Sequence, residues 1–140
     1  MEKLAITLVF AALALLAAAC TSTNVGNSGK VIKSAPVGNN LTVTLSSADG
    51  VLRNGENEFS VSFKDGSGKP VDVGAVGLNF YMPAMGTMPE MNNAASFVST
   101  GNPGVYEGKA KLESAGDWQA QISYEGAAGK GKSSFTVTAR

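Results

Sequence analysis

The chain has 140 residues, with eleven basic and eleven acidic side chains, one cysteine and no histidine. Without histidine, Ser-His-Asp and Cys-His nucleophilic systems, histidine-containing zinc sites and histidine-ligated haem are excluded. The carboxylates are scattered over expected turns and strand exteriors, so the chain is read as a non-enzyme with no catalytic residue, and balanced charge without a basic block gives no footprint for nucleic acid.

Lys3 precedes a run from Leu4 to Ala19, sixteen residues apolar but for Thr7, that end in small side chains at Cys20. That run is shorter than the ~20 residues of a membrane-spanning helix and has the form of a secretory signal. Residues 1–19 are therefore expected to be a cleaved signal peptide. Leu16-Ala17-Ala18-Ala19-Cys20 resembles a bacterial lipobox, in which the cysteine is lipidated and becomes the first mature residue; the leucine stands one place earlier than usual. A lone cysteine forms no intramolecular disulfide, and lipidation of Cys20 accounts for it. Thr21, where an aspartate would redirect sorting, resembles the default for the outer membrane in a cell with two membranes. The expected location is a membrane-anchored lipoprotein facing the periplasm or the extracellular side, with the bilayer a partner through the lipid.

Residues 20–39 are polar or small apart from Val31-Ile32 and read as a flexible tether with a root-mean-square reach of ~25 Å. Residues 40–140 are the size of one domain with one hydrophobic core. Their hydrophobic period is two, in short runs bounded by Gly, Asn, Asp and Pro, which predicts an all-β sandwich or barrel of about seven strands. Leu41, Val43 and Leu45 mark the first; Phe59, Val61 and Phe63 the second, ending in the turn Lys64–Pro70. Val76, Leu78, Phe80 and Met82 mark the third and Phe97 a short fourth. Tyr106, Gly108, Ala110 and Leu112 share one face of a fifth. Trp118, Ala120, Ile122 and Tyr124 mark a sixth, and Phe135, Val137 and Ala139 a last. Gly126-Ala127-Ala128-Gly129-Lys130-Gly131-Lys132-Ser133 fits the phosphate-loop pattern literally, but a strand follows it where a phosphate loop needs a helix, so it is read as a hairpin turn.

Four of the five methionines, Met82, Met85, Met88 and Met91, fall in one ten-residue stretch at a spacing of three. Pro83 and Pro89 oppose a helix there. In an extended polyproline-II-like run, with three residues per turn and ~3.1 Å of rise per residue, the four thioethers would lie along one edge, too far apart for one ion. Gathering three sulfurs requires a turn, and Gly86, free to take positive φ, is where it is expected. The segment is placed in the loop between the third and fourth strands, at one end of the sandwich. Met82 shares the parity of Leu78 and Phe80, which favours a core position.

Gly55-x-Asn57-x-Phe59, Asp65, Gly68-Lys69-Pro70-Val71, Ala75-Val76, Met82-Pro83-Ala84-Met85-Gly86-x-Met88, Pro103-Gly104-Val105-Tyr106 and Gly116-Asp117-Trp118 together resemble the YtkA-like domain, a relative of FixH-like domains. The resemblance covers nearly all of residues 40–140. It implies a small, secreted or membrane-anchored immunoglobulin-like β-sandwich, in a family often found near copper delivery, cytochrome oxidase assembly or metal efflux systems. Members often carry histidine beside the methionines. Its absence here leaves Cu(II), which prefers imidazole, without its donor, while an all-thioether Cu(I) site survives.

Three readings of the segment follow. It binds Cu(I) through Met85, Met88 and Met91, with Met82 as a further ligand, and passes it to or from an envelope partner in copper delivery or metal efflux. Alternatively, it is a hydrophobic docking surface for an envelope protein, or a plug that only packs the core. Exposure of the sulfurs separates the three.

Overall fold

The computed structural model describes residues 29–140. The expected signal peptide and Cys20 lie outside the described residues. Among the described residues nine strands form two antiparallel sheets: β1 (Lys30–Gly38), β2 (Leu41–Ser47), β3 (Gly55–Lys64), β4 (Ala75–Met82), β5 (Met91–Ala94), β6 (Ser96–Ser99), β7 (Val105–Leu112), β8 (Gly116–Gly126) and β9 (Gly129–Ala139). One sheet has the order β1-β2-β3-β7-β6 and the other β5-β4-β8-β9. No helix occurs among the described residues.

The period-two pattern explains the layers, because alternate side chains of a strand leave opposite faces. Val43 and Leu45 of β2, Phe59, Val61 and Phe63 of β3, and Tyr106, Ala110 and Leu112 of β7 turn inward. They meet Leu78, Phe80 and Met82 of β4, Trp118, Ala120 and Ile122 of β8 and Val137 of β9, all buried. Edge-to-face rings join the sheets: Phe59 packs on Phe80 at 5.9 Å and Phe63 on Tyr124 at 5.7 Å between centroids. Gly108 is the gap that admits this arrangement, since a Cβ there would lie 2.5 Å from Phe59 and 2.7 Å from Phe97. Trp118 is fully buried and its indole N–H donates to the Ser114 carbonyl at 3.0 Å, as a buried indole requires.

Two expectations are corrected. Lys30–Gly38 is a strand, so these residues are not part of a flexible tether as expected over residues 20–39. Of its side chains only Val37 is buried, so no apolar alternation marks it. It is an edge strand held by backbone pairing to β2 with two register shifts, and Pro36 is tolerated there. The Asn39-Asn40 turn that joins it to β2 has positive φ at both residues, 50° and 58°, the form that two-residue hairpins favour. Among the described residues the strand count is nine, not about seven: β1 and the four-residue β5 are the additions, while β6, in the other sheet from β5, is the short strand expected at Phe97. The chain crosses from one sheet to the other at Ala95, whose N–H donates to the Leu78 carbonyl at 2.9 Å. The expected turn over Lys64–Pro70 is present, with Asp65 accepting from the N–H groups of Ser67 and Lys69. The phosphate-loop look-alike is the β8–β9 hairpin, with Gly126 paired to Gly129.

Gly104 ties β3 to the turn before β7. Its φ is +74°, its carbonyl accepts from Phe63 N–H at 2.9 Å, and a Cβ on it would stand 2.5 Å from the Val71 carbonyl oxygen. Gly104→Ala combines left-handed backbone strain with a backbone clash. It is expected to lower stability by about 2 kcal/mol or more, read as a fall in the urea midpoint without a change in slope.

Candidate functional site: a methionine hairpin

Met82 closes β4, Met91 opens β5, and the two are cross-strand partners. Between them the chain reverses at Gly86-Thr87. Met85 N–H donates to the Met88 carbonyl at 3.0 Å and Met88 N–H to the Met85 carbonyl at 2.9 Å, closing a two-residue hairpin. Gly86 has φ +56° at the first central position, where such a turn demands a positive value. A Cβ on Gly86 would meet nothing within 4 Å, so backbone conformation, not space, selects glycine. The turn lies where the sequence placed it, and the segment is neither rod nor helix.

This fold sorts the four methionines into two facing pairs. Residues that exchange both backbone hydrogen bonds have Cα atoms ~5.5 Å apart and side chains on one face. Met85 and Met88 are such a pair, and three rotatable bonds each allow their sulfurs to converge. They are 64% and 46% exposed. Met82 and Met91 face each other about three residues, or ~10 Å of extended chain, nearer the sandwich. Met82 is 5% exposed and belongs to the core; its methyl would stand 3.4 Å from a Cβ placed on Gly116. Met91 is half-buried and packs against that core. Of the four predicted ligands, the structure brings Met85 and Met88 together at the surface, keeps Met91 at the foot of the hairpin and withdraws Met82.

Two flanking residues that no sequence pattern singles out join the site. Tyr81 donates its hydroxyl proton to Glu90 Oε2 at 3.3 Å across the two arms. Partial removal from water, and then the adjacent Glu90 carboxylate, push the Tyr81 phenol above its ordinary range. The phenol therefore stays protonated and able to donate at neutral pH. Their positions beside Met82 and Met91 were the available signal, and only the register of the hairpin reveals the pairing. Among the described residues no three His, Cys, Asp or Glu side chains gather to hold a metal ion, so a metal reading here rests on the thioethers. A groove of about 730 Å³ on the five-stranded sheet, lined in part by Glu58, Glu107 and Lys109, does not touch the methionines.

A sequence model of the YtkA-like family matches residues 37–123, more than half of the chain. The chain belongs to the YtkA-like family. No curated protein and no solved structure matches it. The match begins at the end of β1 and stops within β8, yet the YtkA-like sheet is completed by β9, which pairs with β8 along its whole length. Several blocks that carry the resemblance are scaffold. Buried Asn57 accepts from Arg53 N–H at 2.8 Å and donates to the carbonyls of Arg53 and Gly55. Tyr106 donates to Asp72 at 3.1 Å, and Gly116 has φ +125° ahead of Trp118. The methionine block of this YtkA-like domain differs, because its two central thioethers face solvent.

That contrast predicts opposite costs for one substitution. Met82→Ala removes a buried side chain and is expected to lower stability by about 2–5 kcal/mol, whereas Met85→Ala should stay within about 0.5 kcal/mol of the parent. Chemical denaturation of both variants checks this.

Proposed function

We propose that the protein is a non-enzymatic envelope lipoprotein whose methionine hairpin captures Cu(I) and passes it to or from an envelope partner. The observation that supports the reading is the reciprocal backbone bridge that sets two exposed thioethers side by side at Met85 and Met88. Thioethers are soft, neutral donors that suit Cu(I) and not hard cations. Met91, half-buried at the foot of the hairpin, is the third donor in this reading; Met82 remains structural. Two or three donors leave the ion open to a ligand from the molecule that delivers or receives it. Cys20 carries the lipid, and the leash to Lys30 is ten residues, at most ~35 Å when fully extended.

A second reading is favoured by one fact. Among the described residues four large hydrophobic side chains are exposed, Val31, Met85, Met88 and Val98, and two of them form this tip. A paired apolar tip suits docking on a partner, with or without metal.

An anaerobic Cu(I) titration of lipid-free protein against a chromogenic chelator separates the readings. Met85→Leu/Met88→Leu/Met91→Leu should fold with a loss below about 1.5 kcal/mol yet fail to compete for Cu(I), while Met82→Leu should still compete. Absence of competition by the parent at micromolar protein would leave docking. For the anchor, Cys20→Ser is expected to move the protein from the membrane fraction to the soluble one on cell fractionation; retention would refute lipidation.

A further inference from the structure

We propose that Met85 and Met88 are a reversible oxidation site, at which peroxide turns both thioethers into sulfoxides and thereby changes the hairpin tip from a soft, apolar surface to a hard, polar one. The consequence for copper rests on the proposed Cu(I) reading; the modification itself rests on exposure and packing.

Oxidation of a methionine requires that the oxidant reach the sulfur. The four thioethers form a graded series, with Met85 at 64% and Met88 at 46% exposure, Met91 half-buried and Met82 at 5%. The tip is also built to survive the change. Its shape is set by the two backbone hydrogen bonds between Met85 and Met88 and by the φ of Gly86, and neither involves a sulfur. An oxygen added at Met82 would instead place a polar S=O group in the core near Gly116, where it has no solvent to satisfy it.

Each step balances. The sulfur lone pair attacks one peroxide oxygen and the O–O bond breaks. That oxygen stays on sulfur as the sulfoxide, and the other leaves as water with both protons. Sulfur loses two electrons and the peroxide gains them, so the pair consumes two equivalents. In the reverse step the sulfoxide oxygen leaves as water while two thiols of a methionine sulfoxide reductase become a disulfide. A sulfoxide offers a hard oxygen in place of the soft sulfur donor and is strongly polar. The same modification therefore removes the donor pair for Cu(I) and the apolar contact of a docking tip.

The test treats the full-length chain in detergent with hydrogen peroxide, follows each methionine by tandem mass spectrometry, and measures anaerobic Cu(I) competition before oxidation, after it, and after reduction by methionine sulfoxide reductases of both epimer specificities. Met85 and Met88 are expected to gain one oxygen each at least about tenfold faster than Met82, with an unchanged circular dichroism spectrum, and both oxygens should be removed by the reductases. Cu(I) competition should vanish on oxidation and return on reduction. Equal rates at Met82 and Met85, sulfoxides at the tip that the reductases do not remove, or loss of the folded spectrum on tip oxidation overturn the inference. Unmodified protein that ignores Cu(I) refutes the copper reading alone, since the selectivity and reversibility are scored by mass. Cu(I) binding that survives full oxidation of Met85 and Met88 refutes the switch and shows that the ion sits elsewhere.

Discussion

Burial of one face of each sheet against the other holds this molecule together, and it also decides where its methionines go. In β4 the inward parity of Leu78 and Phe80 carries Met82 into the core, and a one-residue slip would turn all three toward water. The pairing of Met82 with Met91 then fixes both ends of the intervening segment. Eight residues must leave the sheet and return in register, and a turn centred on Gly86-Thr87 meets that demand symmetrically. Met85 consequently lies opposite Met88 as a result of the same register that places Met82 opposite Met91.

Much of this was legible. Strands with one buried face are marked by alternation, and parity places Met82 in the core. The positive φ at Gly86 is legible because no other residue in the segment takes it without strain. The parts that were not legible lack a side-chain signal. β1 and β5 are edge strands held by backbone hydrogen bonds, with one buried residue in β1 and none in β5. Leu52 and Val73 are buried in connections, where no periodicity exists to reveal them. The spacing of three points to Met85, Met88 and Met91 as one set of donors, with Met82 as a further one. It could not show that a hairpin would divide them into an exposed pair and a base pair, because that depends on strand register, nor that Tyr81 and Glu90 would meet across the arms.

The family blocks divide in a way that matters for function. Asn57 clamps a loop, Gly104 and Tyr106 lock the approach to β7, and Gly116 and Trp118 start β8 inside the core. Such residues account for a shared fold, and a fold hosts many functions. The methionine block contributes to both levels. Met82 belongs with the scaffold, whereas Met85 and Met88 contribute nothing to the core and are free to act as donors or as contacts. The lack of histidine removes the imidazole chemistry that would hold an oxidised ion and leaves thioethers as the soft ligands at the tip.

On the proposed reading, the number of donors is itself informative. A site that sequesters Cu(I) would close the sphere with four protein ligands, and four methionines are present in the right segment. The fold withholds one of them in the core and half-buries another, so the tip offers two. Recruiting Met82 would empty a core position next to Gly116, at the cost of about 2–5 kcal/mol that removing a buried methionine incurs. Every additional donor within the chain is thus opposed by packing, while donors from an incoming molecule meet no such opposition. The balance favours exchange over storage, and it does so through the same inward-facing Met82 that holds the base of the hairpin to the sandwich.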